Sequence, residues 1–213
     1  MSFRDRQDAG RKLSARLEHL RDAKPIVVGL PRGGVPVAAE VANALDAPLD
    51  VIVVRKLGVP YQPELGFGAI GEGGVEVLNE EVLRAAGLGD DDIARVEAKE
   101  REEVARRARR FRGDRPPVPL AGRTVIVVDD GLATGGTARA ALEVAREHGA
   151  SRVVLAVPVA PVGTVRAMQD VADEVVCLET PSAFFAIGQW YDDFTQTSDD
   201  EVVDLLANGA RSA

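Results

Sequence analysis

The chain has 213 residues, enough for one domain with a full hydrophobic core, and its 46% apolar and 28% charged residues exclude a fibrous or disordered chain. A formal net charge of −8 excludes a general surface for nucleic acid or for an anionic membrane, so any polyphosphate must be held by local chemistry. The single cysteine, Cys177 in the apolar run VVCL, excludes an internal disulfide, and the start MSFRDRQDAGRKL lacks an apolar signal core, which places the protein in the cytoplasm by default.

Residues 5 to 22 carry Ala9, Leu13, Leu17 and Leu20 on one face with charges elsewhere, which predicts an amphipathic helix with His19 toward solvent. Lys24-Pro25 ends it, and Ile26 to Leu30 predicts a short buried strand. Pro31-Arg32-Gly33-Gly34 follows as a turn carrying a cation, and Pro36 lies near the start of a helix whose buried side is Ala38, Val41, Ala42 and Leu45. Asp50 to Val54 predicts another apolar strand running into the cationic pair Arg55-Lys56. Residues 57 to 65, LGVPYQPEL, have the turn residues of a loop. GFGAIG, residues 66 to 71, matches the letters of a dinucleotide fingerprint, but Gly73-Gly74 and Val75 to Leu78 predict a hairpin turn and a strand where that fingerprint needs a helix.

Residues 79 to 113 predict two charged helices separated by Gly87-Leu88-Gly89. In the second, Ile93, Val96, Val104, Ala108 and Phe111 form a narrow apolar stripe. The cluster of Arg106, Arg107, Arg109, Arg110 and Arg112 reads as a solvated face, with anion binding as its alternative. Pro116, Pro117 and Pro119 then connect to the most informative stretch, VIVVDDGLATGGT at residues 125 to 137. Val125 to Val128 predicts a buried strand that ends in Asp129 and Asp130. Gly131, Ala133, Gly135 and Gly136 leave backbone amides uncovered, Thr134 and Thr137 add hydroxyls, and the next residues read as a helix. Such a loop at a helix N-terminus holds an anion, with phosphate the obvious guest. The two acids would repel that phosphate, so they face vicinal hydroxyls or a divalent cation instead. A P-loop would need Lys at Gly136, and a dinucleotide loop would need G-x-G-x-x-G between strand and helix.

Ala138, Ala141, Leu142 and Ala145 mark the buried side of the following helix, which ends near Gly149. Val153 to Val157 is a further strand, the turn Pro158 to Gly163 precedes a short helix, and Val175 to Leu178 is the last strand. This alternation predicts an α/β fold with a doubly wound, mostly parallel sheet, helices on both faces and ligands at the carboxyl ends of the strands.

Apolar strand, paired acids, two spacers and T-G-G-T together resemble the 5-phosphoribosyl-1-diphosphate (PRPP) binding motif of type I phosphoribosyltransferases. The resemblance implies that the amides and threonines of Gly131, Leu132, Ala133, Thr134, Gly135, Gly136 and Thr137 hold the 5-phosphate. Asp129 and Asp130 would address the ribose hydroxyls and the Mg2+ shell. It also makes Pro31 to Gly34 similar to the family's pyrophosphate loop, with Arg32, Gly33 and Gly34 in contact with that group and the Pro31–Arg32 bond at the place where some members have a cis peptide. Arg55-Lys56 resembles the start of the mobile loop that closes over PRPP in orotate and adenine phosphoribosyltransferases. The family also carries a variable hood over the site, and residues 180 to 194, which hold Phe184, Phe185, Trp190, Tyr191 and Phe194, are similar to one. A satellite hydrophobic cluster that anchors the terminus is the other reading of these rings.

The chain thus divides into an N-terminal amphipathic helix at 1–23, a phosphoribosyltransferase-like α/β core at 24–180 with a helical insert at 79–113, and a hood with a C-terminal helix at 181–213. The implied function is magnesium-dependent transfer of the 5-phosphoribosyl group from PRPP to a nitrogen acceptor, with Asp129, Asp130, Arg32, Arg55 and Lys56 in catalysis. Phe184, Phe185, Trp190 and Tyr191 would stack on the acceptor. The expected partners are PRPP and a small-molecule acceptor, without nucleic acid or membrane and with a homo-oligomer left open. A PRPP-sensing regulator on the same fold is the alternative. Ala133 stands where hypoxanthine-guanine enzymes typically carry an aspartate near the purine N7, so the resemblance is closer to adenine phosphoribosyltransferases and 6-oxopurines are expected to be poor acceptors.

Overall fold

The computed structural model describes residues 2–209. In chain order, helix α1 (Arg6–Leu17) leads through a 3-10 turn into β1 (Ile26–Gly29), α2 (Gly34–Leu45) and β2 (Leu49–Val51). An antiparallel unit follows, β3 (Val54–Val59), β4 (Gln62–Gly71) and β5 (Glu76–Leu78), and then the helices α3 (Glu80–Ala86) and α4 (Asp90–Arg112). The chain re-enters the core through β6 (Thr124–Val128), α5 (Gly136–Glu147), β7 (Arg152–Val159), α6 (Val162–Met168) and β8 (Glu174–Glu179). An extended tail then leads to α7 (Asp199–Gly209). No helix among the described residues is long and apolar enough to cross a membrane.

The main sheet is parallel with strand order β2-β1-β6-β7-β8. Alternate residues along a strand face opposite sides of a sheet, and here both sides are apolar. Val27, Ile126, Val128, Val154 and Ala156 pack with Leu13 and Leu17 of α1, Val41 of α2, Phe111 of α4 and Leu206 of α7. Val28, Val125, Val127, Val153 and Leu155 pack instead with Ala138, Ala141 and Leu142 of α5 and Met168 of α6. With no polar position to alternate, such strands read in sequence as continuous apolar runs.

The strand order also fixes where a ligand can sit. From the neighbouring pair β1 and β6, the chain steps outward in opposite directions, through α2 to β2 and through α5 to β7. The loops after β1 and β6 therefore diverge from one edge and leave a crevice, the topological switch point at which open α/β sheets bind ligands.

Three local expectations are corrected. Residues 57 to 65 are not a free loop but the tip half of the β3–β4 hairpin, which is paired from Val54 with Gly71 to Val59 with Gln62. Leu57, Val59, Phe67 and Ile70 are buried in the core beside Val104 and Phe111, so the hairpin is rooted. Gly58 permits its close approach, because a Cβ there would lie 2.6 Å from the Pro63 carbonyl oxygen. The strand expected at Asp50 to Val54 splits after Val51, because side chains take over its backbone partners: Val53 N–H donates to Glu72 at 2.8 Å, and the Arg112 guanidinium donates to the Val51 carbonyl. Pro158 belongs to β7 rather than to a turn, lying between the Val157–Cys177 and Val159–Glu179 pairs where its missing N–H interrupts the ladder.

The solvated arginine face of α4 is real for Arg106 and Arg107, which both pair with Glu103. Arg112 differs: its side chain is 9% exposed and sits between Asp50, 2.7 Å away, and Glu72. Asp50 in turn accepts the Val118 N–H at 2.9 Å. One buried ionic group thus joins the edge strand β2, the end of the hairpin at β4 and the last turn of α4.

Candidate functional site

The loop after β6 is shaped by what holds its near half down. Leu132 is buried and its N–H donates to the Val159 carbonyl at 2.9 Å, while Thr164 Oγ1 donates to the Ala133 carbonyl at 2.7 Å. Gly135 then turns the chain with φ +79°, a left-handed conformation that favours glycine, and a Cβ there would lie 3.0 Å from Thr164 and Met168. Helix α5 begins directly after it with no side-chain cap. Ala133, Thr134, Gly136 and Thr137 consequently stand exposed at the positive end of a helix whose first N–H groups have no intrahelical acceptors.

Asp129 and Asp130 crowd each other at the same strand end. The Asp130 N–H donates to Asp129 Oδ1 at 2.9 Å, and Asp130 Oδ2 accepts from Arg6 Nε at 2.8 Å. Burial, reinforced by the neighbouring Asp130 carboxylate, holds the Asp129 carboxyl well above the usual carboxylate range. Burial also raises Asp130, against the pull of Arg6. Two carboxyls with one cation between them favour a further cation or hydroxyl donors.

The loop after β1 presses on this pair. Its Pro31–Arg32 peptide is cis. A Cβ on Gly33 would lie 2.0 Å from Asp130 Oδ2, and one on Gly34 would lie 2.6 Å from the Val128 carbonyl oxygen. Only glycine allows the two loops to touch. The three cations of the sequence argument go different ways. Arg32 lies 3.5 Å from Asp199 of α7, and Arg55 Nε lies 2.8 Å from Glu100 of α4. Lys56, with Thr134, Gly136 and Thr137, lines a cleft of about 990 Å3 between the antiparallel sheet and α5.

The tail closes the far side of the site. Tyr191 is 6% exposed, its ring packs near those of Phe3 and Phe194, and its hydroxyl donates to the Asp130 carbonyl at 2.6 Å. Phe184 and Trp190 are partly buried against the same cluster, whereas Phe185 is 88% exposed. The profile of the phosphoribosyl transferase domain matches residues 69–194, more than half of the chain.

The chain belongs to the phosphoribosyl transferase domain family. A Mycobacterium tuberculosis H37Rv protein, Rv0571c, which bears a provisional phosphoribosyl transferase name, is 59% identical over 209 residues, covering 98% of this chain and 47% of that protein. The chain thus spans about half the length of the curated relatives it matches. The crystal structure of TT1426 from Thermus thermophilus is 45% identical with a TM-score of 0.88, covering 99% of this chain and 100% of the other. Over a shorter stretch of 45 residues, 20% of this chain and 24% of the other, it is 62% identical to the adenine phosphoribosyltransferase of Kineococcus radiotolerans.

In this phosphoribosyl transferase domain, the sequence-identified residues at the carboxyl ends of β1 and β6 meet, namely Gly33, Gly34, Asp129 and Asp130. Arg55 and Lys56 separate because successive strand residues point to opposite sides, one toward α4 and the other into the cleft. Tyr191, named among the rings expected to stack on the acceptor, has its ring covered and its hydroxyl on the Asp130 carbonyl, the environment of the anchoring cluster given as the other reading. Arg6 was missed. Its letter in an amphipathic helix carries no sign of a partner 124 residues away.

Proposed function

We propose that this domain transfers the 5-phosphoribosyl group of PRPP to a nitrogen acceptor, with release of pyrophosphate. The observation that carries the reading is the meeting, at one switch point, of an uncapped helix N-terminus and an acid pair packed on a glycine turn. The amides and hydroxyls from Gly131 to Thr137 would seat the 5-phosphate, and Asp129 with Asp130 would accept from the ribose hydroxyls. Gly33, Gly34 and Arg32 would face the pyrophosphate end, with Lys56 reaching it across the cleft.

The residues fit magnesium of the kind that keeps most of its shell from substrate and water, since two carboxylates supply hard oxygen donors and no group of three or more His, Cys, Asp or Glu among the described residues forms a protein cage. When bound with PRPP, magnesium would neutralise charge on the departing pyrophosphate. The protein's own part is preorganised charge at that leaving group and exclusion of water, which competes as an acceptor.

Losing one charge-assisted contact costs about 1.5–3 kcal/mol. Arg32→Ala and Lys56→Ala should therefore weaken PRPP and pyrophosphate while sparing ribose 5-phosphate in calorimetric titrations; equal losses for all three ligands contradict the assignment. Arg55→Ala should matter less, because that side chain turns toward Glu100 of α4 and away from the cleft that Lys56 lines.

Pyrophosphate release from PRPP over a panel of adenine, 6-oxopurines and amines tests the activity. Release is expected with an acceptor other than a 6-oxopurine. Turnover of hypoxanthine or guanine at a kcat/KM of roughly 10⁴ M⁻¹s⁻¹ or above would overturn the inference from Ala133. A PRPP-sensing regulator is the second reading, favoured by the engagement of Arg32, Arg55 and Asp130 with protein partners. PRPP binding with no release for any acceptor would support it.

A further inference from the structure

We propose that Arg6 is a positioning residue for Asp130, which makes ribose recognition depend on the docking of the first helix and the tail; this rests on the ribose role proposed above for the acid pair. The local sequence does not explain this arginine. Arg6 is the first residue of α1, where the helix dipole disfavours a cation, and yet its side chain is only 10% exposed. Each of its three guanidinium nitrogens meets a remote group. Nε and Nη2 each lie 2.8 Å from Asp130 Oδ2, and Nη1 donates to the Thr195 carbonyl at 2.7 Å. The guanidinium carbon stands 4.0 Å from the centroid of the Phe194 ring. A planar fork stacked on a ring and bonded at both ends has one orientation, and it imposes one on the carboxylate it holds.

Asp130 is fixed from its other sides by the same layer. Tyr191 donates to its carbonyl oxygen, and Gly33 presses on the oxygen that Arg6 holds. Phe3 joins the layer by donating its N–H to the Trp190 carbonyl at 2.8 Å. The second acid of the motif is thus aimed by residues from both ends of the described chain, none of them in the motif itself. A lysine at position 6 would keep the charge but lose the fork and the stack.

The test is a double-mutant cycle on binding, which separates action through Asp130 from a general structural role. Ribose 5-phosphate and inorganic phosphate are titrated by calorimetry, with magnesium present, into the wild type, Arg6→Ala, Asp130→Asn and the double variant. Arg6→Ala is expected to weaken ribose 5-phosphate by roughly tenfold or more, the loss typical of a charge-assisted contact, and to leave phosphate unchanged. In the Asp130→Asn background the same substitution should add less than about a twofold loss, as coupled neighbours do. Equal losses in both backgrounds, or no loss in the wild type, overturn the proposal. If Arg6→Ala does not fold, Arg6→Lys runs the same cycle with a smaller loss of the same pattern. A wild type that binds ribose 5-phosphate no better than phosphate, with no effect of Asp130→Asn, instead overturns the ribose role of the acid pair.

Discussion

Replacing Asp129 with asparagine should stabilise the ligand-free, magnesium-free protein at neutral pH and at the same time remove most of its affinity for PRPP. Burial and the adjacent Asp130 raise the Asp129 carboxyl above its ordinary range, so the folded state retains a proton that the unfolded chain has given up. The contribution of this group to stability is therefore complete below its unfolded pKa and declines as pH rises through the folded one. Asparagine is isosteric, keeps an oxygen to accept the Asp130 N–H, and carries no charge to desolvate. Its gain in melting temperature over wild type should consequently be larger at pH 7 than at pH 4. Ligand binding should move the other way: each charged acceptor lost costs about 1.5–3 kcal/mol, so Asp129→Asn/Asp130→Asn together should weaken PRPP by roughly a hundredfold or more. A lower melting temperature for Asp129→Asn at pH 7, with PRPP affinity unchanged, would contradict both halves.

Arg112→Ala should lower the free energy of unfolding by about 3–5 kcal/mol, the cost of breaking a buried ion pair by removing one partner. Asp50 would be left buried and Glu72 half-buried with no guanidinium between them, and the Val51 carbonyl would lose its donor. Burial works against the charge on Arg112, but its two carboxylate partners outweigh that effect and its pKa is raised. The damage should extend beyond stability. Glu72 follows the last residue of β4, so losing Arg112 loosens the root of the hairpin that carries Lys56. Urea denaturation measures the first effect, and amide exchange in β3 and β4 measures the second. A variant within about 1 kcal/mol of wild type, the range of an exposed ion pair, would show that the network is a surface contact in energy if not in place.

The parts of the molecule that were legible in the sequence are those whose cause is local. A parallel strand buried on both faces must be apolar throughout, so the runs Ile26 to Leu30, of which Ile26–Gly29 is the strand, Val125 to Val128 and Val153 to Val157 announced themselves. The order of acids, small residues and threonines marked a glycine loop opening a helix, and α5 begins there at Gly136, directly after Gly135. The hairpin at residues 57 to 65 was obscured because Gly58, Pro60 and Pro63 are turn residues, although Leu57 and Val59 already carry the two-residue period of a strand with one buried face.

Arg112 was hidden by its arginine neighbours, yet it lies four residues after Ala108 and eight after Val104, on the apolar stripe itself. A charged residue on that stripe signals a buried partner. Arg6 and Tyr191 had no comparable signal, because their partner is Asp130, which only the fold brings near them.

The most direct test of the acid pair and phosphate cradle as a PRPP site is calorimetric titration of PRPP with and without magnesium, in the wild type and in Asp129→Asn/Asp130→Asn. Saturable binding that requires magnesium, is displaced by ribose 5-phosphate and disappears in the double variant is the expected result. Equal affinity with and without magnesium and in both proteins would contradict it.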